Sequence, residues 1–470
     1  MRSNITYTLD EIAEIYDGPH ATPKKLEAGD AIFLSISSIE NGRLNLEKSS
    51  FISEDDFVKW TRRVTPQAGD VVFSYETKIG EASIIPEGLR CCLGRRMGLL
   101  RAKQDKVLPQ YLLYAYLSPA FQDVIREKTI HGSTTDRLSI KEMPTFEIEL
   151  PDIHTQKKII KILSPIDNKL SKNTEINQTL EQMAQALFKS WFVDFEPVKA
   201  KIEVLEAGGS QEDATLAAMT AISGKSVDAL AIFEREHPEQ YAELKATAEL
   251  FPSAVQESEL GAIPKGWGMA SISEMGKVTC GKTPSKKEPE YYGGDVPFIK
   301  IPDMHGQLFV LKTNEYLSEV GSKSQLKKLV PANSICVSCI ATIGVVSITN
   351  EPSHTNQQIN SVTPYKSSLL YYLYFCILGL KDHLHVLGSA GSATLNVNTS
   401  TFSGIKIAQP DAKVLELFHA KCTHLFNEIK SLSVQTESLA QLRDTLLPKL
   451  LSGEITLPEA EELAKEADYV

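Results

Sequence analysis

The side chains best spaced for chemistry in this chain are two cysteines. CVSC sets Cys336 and Cys339 at the CxxC spacing, with His354, His383 and His385 further along as possible partners. Two thiolates and two imidazoles would hold a tetrahedral zinc ion. The local pattern argues against that. Both cysteines fall in SICVSCIA, which reads as a buried strand, so packed thiols are the expected state. Cys91 and Cys92 are adjacent, an arrangement unsuited to joint chelation, and packing is again expected. The chain has no GxGxxG or Walker A phosphate cradle, no HExxH, no EF-hand loop and no nucleophile elbow. The Asn-Pro-Pro-Tyr loop of adenine methyltransferases is missing, and no nuclease-like carboxylate pair with a nearby lysine stands out. The expectation is a chain that binds no metal and performs no catalysis itself.

The elements that must position any other function follow from size and pattern. At about 100–200 residues per domain, 470 residues make two to four folding units, and 42% hydrophobic content fills real cores. The longest apolar run, Leu369–Leu380, is too short to span a bilayer. The N-terminus lacks a basic-then-apolar signal pattern, and seven cysteines do not read as a disulfide framework, so no membrane and a cytoplasmic location are expected. The net charge of −11 is unevenly spread. Residues 201–260 carry 4 basic and 12 acidic groups, whereas residues 261–410 carry 13 and 9. Nucleic acid is therefore not excluded as a partner of the folded blocks.

The chain is written twice. LDEIAEIYDGPHATPKK from Leu9 resembles ISEMGKVTCGKTPSKK from Ile272, and Gly29–Ile36 resembles Gly294–Ile301. Gly69–Ile84 lies on Asn333–Ile348 without a gap at an offset of 264, sharing five identities. YLLYAY from Tyr111 meets YLYFCI from Tyr372, and Gly132–Pro151 meets Gly391–Pro410 at an offset of 259. Each match is weak, but five in collinear order point to a duplication. Short runs such as AIFLSI, DVVFSY, EASIIP and GVVSITN, broken by Gly, Pro and Asn, give each copy mixed α/β character.

After each block the hydrophobic period changes to 3.5. The first seam reads Ile159, Leu163, Ile166, Leu170, Asn173, Asn177, Leu180, Ala184, Leu187 and Trp191. The second reads Phe418, Cys422, Leu425, Ile429, Leu432, Thr436, Leu439, Arg443, Leu446 and Leu450. Apolar residues sustained at this spacing predict two coiled-coil helices, each roughly 50 Å long if about 35 residues are helical. Equivalent units related by a pseudo-two-fold would pair these helices antiparallel. Asn173, Asn177, Thr436 and Arg443 are polar seam positions that would fix register.

These residues carry a resemblance. Leu150–Leu170 and LEQMAQALFKSWFVDFEPV (Leu180–Val198) resemble the opening and end of the first spacer helix of the specificity subunit of type I restriction–modification systems. ELGAIPKGW (Glu259–Trp267) resembles the start of that family's second target-recognition domain, and LLPKLLSGEI (Leu446–Ile455) its C-terminal close. The resemblance implies a duplicated α/β (α+β) fold, with two target-recognition domains joined by a pair of long antiparallel spacer helices. The expected divisions are a first domain over 1–151, a first helix over 152–200 and an acidic connector over 201–260. A second domain over 261–410, a second helix over 411–450 and a tail over 451–470 complete the chain. Glu203–Phe251 is its least regular part.

The resemblance further implies double-stranded DNA as partner, each domain reading one half of a split, asymmetric site while the helices set the gap. Two methyltransferase subunits and motor-nuclease subunits would complete the complex. S-adenosylmethionine, ATP and Mg2+ would sit on those partners, none on this chain. Arg reads guanine bidentately, amides read adenine, and Lys neutralises phosphate. In the first domain these rules select Lys24, Lys25, Lys78, Arg95, Arg96, Arg101 and Arg137, with His131, Ser133 and Thr134 in the same polar loop as Arg137. In the second they select Lys282, Lys286, Lys287, Thr342, Asn356, Gln357, Gln358 and Asn360, with Gln357 and Gln358 standing near the repeat positions of Arg95 and Arg96. A coiled-coil adaptor without DNA, or a recognition arm for a separate catalytic chain, are the competing readings.

Overall fold

The computed structural model describes residues 4–466 apart from 41, 133–134, 260, 390–394 and 453. Ser133 and Thr134 therefore lie outside the described residues. The chain divides into two compact units, Met1–Asn173 with Gln435–Val470, and Thr174–Val434.

In the first unit a four-stranded antiparallel sheet has the order Ala13–Asp17, Met97–Ala102, Val71–Ser74, Ala82–Ile84. Ala31–Leu34 pairs antiparallel with Ser50–Ile52 and parallel with Cys91–Leu93. Ile5–Thr8 pairs with Glu147–Leu150, closing the block just before the long helix Ile153–Phe188. The second unit repeats this plan. Gly276–Cys280, Ile359–Pro364, Ile335–Ser338 and Val346–Thr349 form its main sheet, with Phe309–Val310 added in parallel at the edge. Tyr292–Ile299 pairs antiparallel with Tyr316–Leu317 and parallel with His354–Thr355. Gly268–Ser271 pairs with Lys406–Gln409 before the second long helix, Ala412–Ser452.

The duplication extends to backbone conformations that side chains rarely adopt. Left-handed φ angles occur at Gly69, Thr77 and Gly80, and again at Asn333, Ala341 and Gly344, each pair 264 residues apart. Thr77 and Ala341 hold these angles at some cost in strain, so the turn shape is preserved while its residues differ.

Each half of the helix pair belongs to the core of one block. In the first unit Ile159, Leu163, Ile166 and Leu170 are buried with Leu439, Leu446 and Leu450 against Leu9, Ile12, Tyr111 and Tyr116. In the second, Ala184, Trp191, Phe418, Cys422 and Ile429 are buried, with Leu180, Leu187 and Leu425 packed beside them. Leu432 is half-buried. The polar seam positions pair across the helices in antiparallel order. Asn173 Nδ2 donates to Gln435 Oε1 at 2.8 Å, Arg443 Nη1 lies 3.5 Å from Asp167 Oδ1, and in the other unit Asn177 Nδ2 donates to Ser433 Oγ at 3.1 Å.

The stretch Glu203–Phe251, irregular by sequence, is helical. It runs through the end of Glu196–Glu206 and then Gln211–Ser223, Val227–Glu236 and Pro238–Glu249. Its punctuation is local: Ser210 and Ser226 accept from Asp213 N and Ala229 N as N-caps, and Gly224 ends a helix at φ 67°. Ala218, Met219, Leu230 and Ala248 form a small core of their own. The buried Lys201 Nζ donates to the carbonyl of Phe251 at 2.6 Å, closing the stretch into a loop. Among the described residues no single helix is long and apolar enough to cross a membrane. The apolar run from Leu369 forms the buried helix Leu370–Gly379.

Cys336 and Cys339 are buried, as the strand reading expects, and burial pushes both thiols up to about 11. Cys91 and Cys92 are buried in the strand Cys91–Leu93 and are pushed up to about 12. His354 is fully buried, with Nε2 2.9 Å from Ser322 Oγ. Desolvation lowers its pKa from the ordinary 6.5 to about 4. The unfolded chain therefore binds this proton more readily, and stability falls as pH drops from about 6.5 toward about 4. Unfolding midpoints measured between pH 7.5 and 4.5 should show a shallower fall in His354→Gln than in the native chain; parallel curves would contradict this.

Candidate nucleic-acid interface

The strands of each main sheet converge at two ends. One end leads to the long helices. Near it, buried Gln156 of the first helix donates Nε2 to the carbonyls of Lys106 and Pro151 and accepts from Leu108 N. The opposite end gathers the sequence-selected polar residues. In the first domain the strands ending at Asp17 and Ser74 and the strand starting at Met97 place three connections there, 18–30, 75–81 and 94–96. They carry exposed Lys24 and Lys25, half-buried Lys78, exposed Arg95 and half-buried Arg96. Arg137 joins them, since Glu76 bridges to Arg137.

These connections pack closely on the strands. A Cβ on Gly18 would stand 2.6 Å from Met97 O, and one on Gly94 would stand 2.4 Å from Leu34 O. Only glycine allows these segments to meet so closely. Arg96 sits at φ 71° and its Nε pairs with Glu76 Oε2 at 2.7 Å. Lys78 Nζ donates to Ile39 O at 3.0 Å, and Tyr75 Oη donates to Asp17 Oδ1 at 3.1 Å. Burial and the neighbouring Asp17 raise the Tyr75 pKa, so the phenol stays neutral and keeps that bond. Arg95 is left as the outward-facing member of its pair.

The second domain places 281–291, 339–345 and 356–358 at the corresponding end. Lys282, Lys286, Lys287, Thr342 and Gln357 are exposed there, and Gln358 is half-buried. Gly281 occupies the place of Gly18; its Cβ would stand 2.1 Å from Asn356 O. Thr283 Oγ1 donates to Gln357 Oε1 at 2.5 Å. Ile340 bridges to Asn396 as Glu76 does to Arg137. Asn396, exposed at that bridge, is absent from the sequence-selected set. The repeat offset alone would have found it, since 259 beyond Arg137 is Asn396.

Three selected residues are committed elsewhere. Arg101 lies in the strand Met97–Ala102, away from the loop end. Its Nε and Nη2 donate to Asp70 Oδ1 and Oδ2 at 2.9 and 2.7 Å, and Nη2 also reaches Thr65 O at 3.0 Å. A guanidinium bound on both prongs has no fork left for a base. Arg101→Ala should destabilise the domain by on the order of 3 kcal/mol, because it strands the nearly buried Asp70, without altering DNA sequence preference. Thermal unfolding beside a binding-site selection checks both halves of that statement. Asn356 is buried; it exchanges bonds with Gln358, donating Nδ2 to Oε1 at 3.0 Å and accepting from its N at 3.1 Å. Asn360 is buried and accepts from Thr399 Oγ1 at 2.9 Å. Both amides build the turn rather than face solvent.

Two loop ends of one strand plan, one bearing arginine and the other glutamine in the corresponding connection, suit paired reading of different base edges. A family model described as the type I restriction modification DNA specificity domain matches residues 3–182 and 264–431. The chain belongs to this family. The first match covers one block and most of its following helix, the second covers the other block and about half of its helix, and the helical stretch 201–251 lies outside both. The type I restriction enzyme HindI specificity subunit of Haemophilus influenzae is 46% identical over 359 residues, which is 74% of this chain and 78% of that one. The type I restriction enzyme MjaIX specificity subunit of Methanocaldococcus jannaschii is 23% identical over 454 residues, 96% and 90% of the two chains. The crystal structure of a type I restriction–modification S subunit from M. genitalium aligns over 96% of each chain at 13% identity with a TM-score of 0.49.

Proposed function

We propose that this chain is the DNA-recognition subunit of a type I restriction–modification complex, each domain reading one half of a bipartite, asymmetric double-stranded site. The observation that carries the reading is the duplicated sheet end: the left-handed turn at Thr77 and Gly80 recurs at Ala341 and Gly344, while the connection beside it carries Arg95 and Arg96 in one domain and Gln357 and Gln358 in the other. Shared backbone with different donors is what two half-sites of different sequence require. The helix pair sets the gap between half-sites and docks two methyltransferase subunits; motor-nuclease subunits join them. The chain itself catalyses nothing. Adenine methylation with S-adenosylmethionine and ATP- and Mg2+-dependent cleavage belong to the partner subunits. The complex works in the cytoplasm, where its DNA is.

The test is DNA binding by the chain reconstituted with its methyltransferase subunit. The expected result is sequence-specific binding whose log Kd changes linearly with log salt. Lys78→Ala should weaken all sequences alike and lower that slope by about 0.9, the share of one neutralised phosphate. A folded complex with no sequence preference would overturn the reading in favour of an adaptor. An unchanged slope in Lys78→Ala would remove Lys78 from the interface.

A further inference from the structure

Outside the selected loops, a basic pair follows the same helix in both domains. Glu54–Trp60 is followed by Arg62 and Arg63, and Glu319–Ser324 by Lys327 and Lys328. Both helices are joined to the loop end by the same kind of bond. Trp60 Nε1 donates to Ala21 O at 3.2 Å, and Gln325 Nε2 donates to Lys282 O at 3.0 Å. The pair is thereby fixed beside the connection bearing Lys24 and Lys25 in one domain and Lys286 and Lys287 in the other.

In the first domain these residues line a surface hollow of about 350 Å³, with His20, Lys59, Trp60, Arg62 and Arg63 around it. Arg63 is held in place: Nη1 donates to Gly18 O at 3.2 Å and lies 3.7 Å from Asp17 Oδ2, while its side chain remains 56% exposed. Arg62 is exposed and has no ion pair or hydrogen bond among the described residues. In the second domain Lys327 is exposed and Lys328 half-buried.

The contrast with the neighbouring turn assigns the role. At 95–96 and 357–358 the domains exchange arginine for glutamine, a change in hydrogen-bond pattern and charge together. At 62–63 and 327–328 they exchange arginine for lysine, which keeps charge and discards the planar fork. That exchange keeps what a phosphate contact needs, because lysine acts on phosphate as a point charge, and gives up the planar fork that bidentate base reading by arginine uses.

We propose that Arg62 and Arg63 in the first domain, and Lys327 and Lys328 in the second, grip DNA backbone phosphates beside each half-site independently of base sequence. This inference rests on the DNA-recognition reading above. Arg62→Ala is the cleanest variant, since it breaks no internal bond; Lys327→Ala does the same for the second domain. Each is assayed in the reconstituted complex for salt-dependent affinity and for the methylated motif. The expected result for either variant is a slope lower by about 0.9 and roughly 8-fold weaker binding at about 0.1 M salt, with the motif unchanged. An unchanged slope, or a motif relaxed at one base position, overturns the inference while the native complex still binds its site. A native complex that binds no DNA overturns the recognition reading and this inference with it.

Discussion

Replacing Arg95 by Gln changes one position in one half of the recognised DNA sequence and leaves the other half and the gap as they were. The expected loss at the native base pair is about 1–3 kcal/mol, a 5- to 150-fold drop in occupancy at roughly room temperature. The 94–96 turn divides its labour between side chains. Gly94 is pressed against Leu34 O, so the turn cannot shift to accommodate a new side chain. Arg96 turns inward to Glu76 and supports the turn. Arg95 is exposed at the end of the sheet where the other basic residues gather. The reciprocal change, Gln357→Arg, should alter the other half alone, because Gln357 is likewise the exposed member of its pair and Gln358 the one bonded to Asn356. Arg96→Ala should instead weaken every site together, by loosening the turn. A binding-site selection run on the three variants separates these outcomes; an unchanged motif in both Arg95→Gln and Gln357→Arg would mean that this turn does not read bases.

Phe192→Ala should cost the second unit about 3–5 kcal/mol and lower its melting midpoint by on the order of 10 °C. Phe192 is buried at the close of the first long helix, where a π-helical turn spans Lys189–Val193. Its ring centroid lies within 6.2 Å of five others: Phe188, Trp191, Trp267, Tyr372 and Phe418. These rings come from the first helix, the start of the second block, its sheet-backing helix and the second long helix. Trp191 extends the cluster to Phe251 at 5.1 Å, and Phe195, at φ 53°, turns the chain so that its ring meets Trp267 at 5.7 Å. The truncation removes the piece that joins all of these at once, and a well-packed aromatic core relaxes little to fill the space. Thermal unfolding followed by tryptophan fluorescence reports it directly, since Trp191 and Trp267 both lie in the cluster. A shift below about 2 °C would show that the surrounding core collapses into the gap.

Much of this architecture is legible before any coordinate. The 3.5-residue spacing marks the buried seam from Ile159 to Trp191 and from Phe418 to Leu450, because a helix face is a strictly periodic object. The strands fall where short β-branched runs stand between turn residues, and the collinear repeat fixes their order. The helical stretch after Glu203 stays hidden for the opposite reason. Its helices are short, rich in alanine and acidic residues, and packed on a core of small side chains such as Ala218 and Ala248, so no strong periodicity arises. Its capping serines are present in the sequence but weak as isolated signals.

The candidate site is legible at the level of loops and not of side chains. Lys24, Lys78, Arg95, Arg137 and Gln357 sit in connections that the sheet gathers at one end. Arg101, Asn356 and Asn360 have the right chemistry, yet their donors and acceptors are consumed by Asp70, Gln358 and Thr399. Whether a polar group faces solvent or a partner depends on tertiary packing that residue type and spacing do not encode. The same holds for Arg62 and Lys327, whose place beside the loop end becomes visible through the bonds of Trp60 and Gln325.

The central claim, that two different domains of this chain read one split DNA sequence, is tested most directly by a methylation map. The chain is co-expressed with its methyltransferase subunit in a host free of adenine methylation, and the genome is sequenced with single-molecule detection of N6-methyladenine. The predicted result is one asymmetric motif of two defined halves separated by a fixed gap, absent when this chain is omitted. A folded, co-purifying complex that adds no methylation, or that methylates without a split motif, would contradict the account.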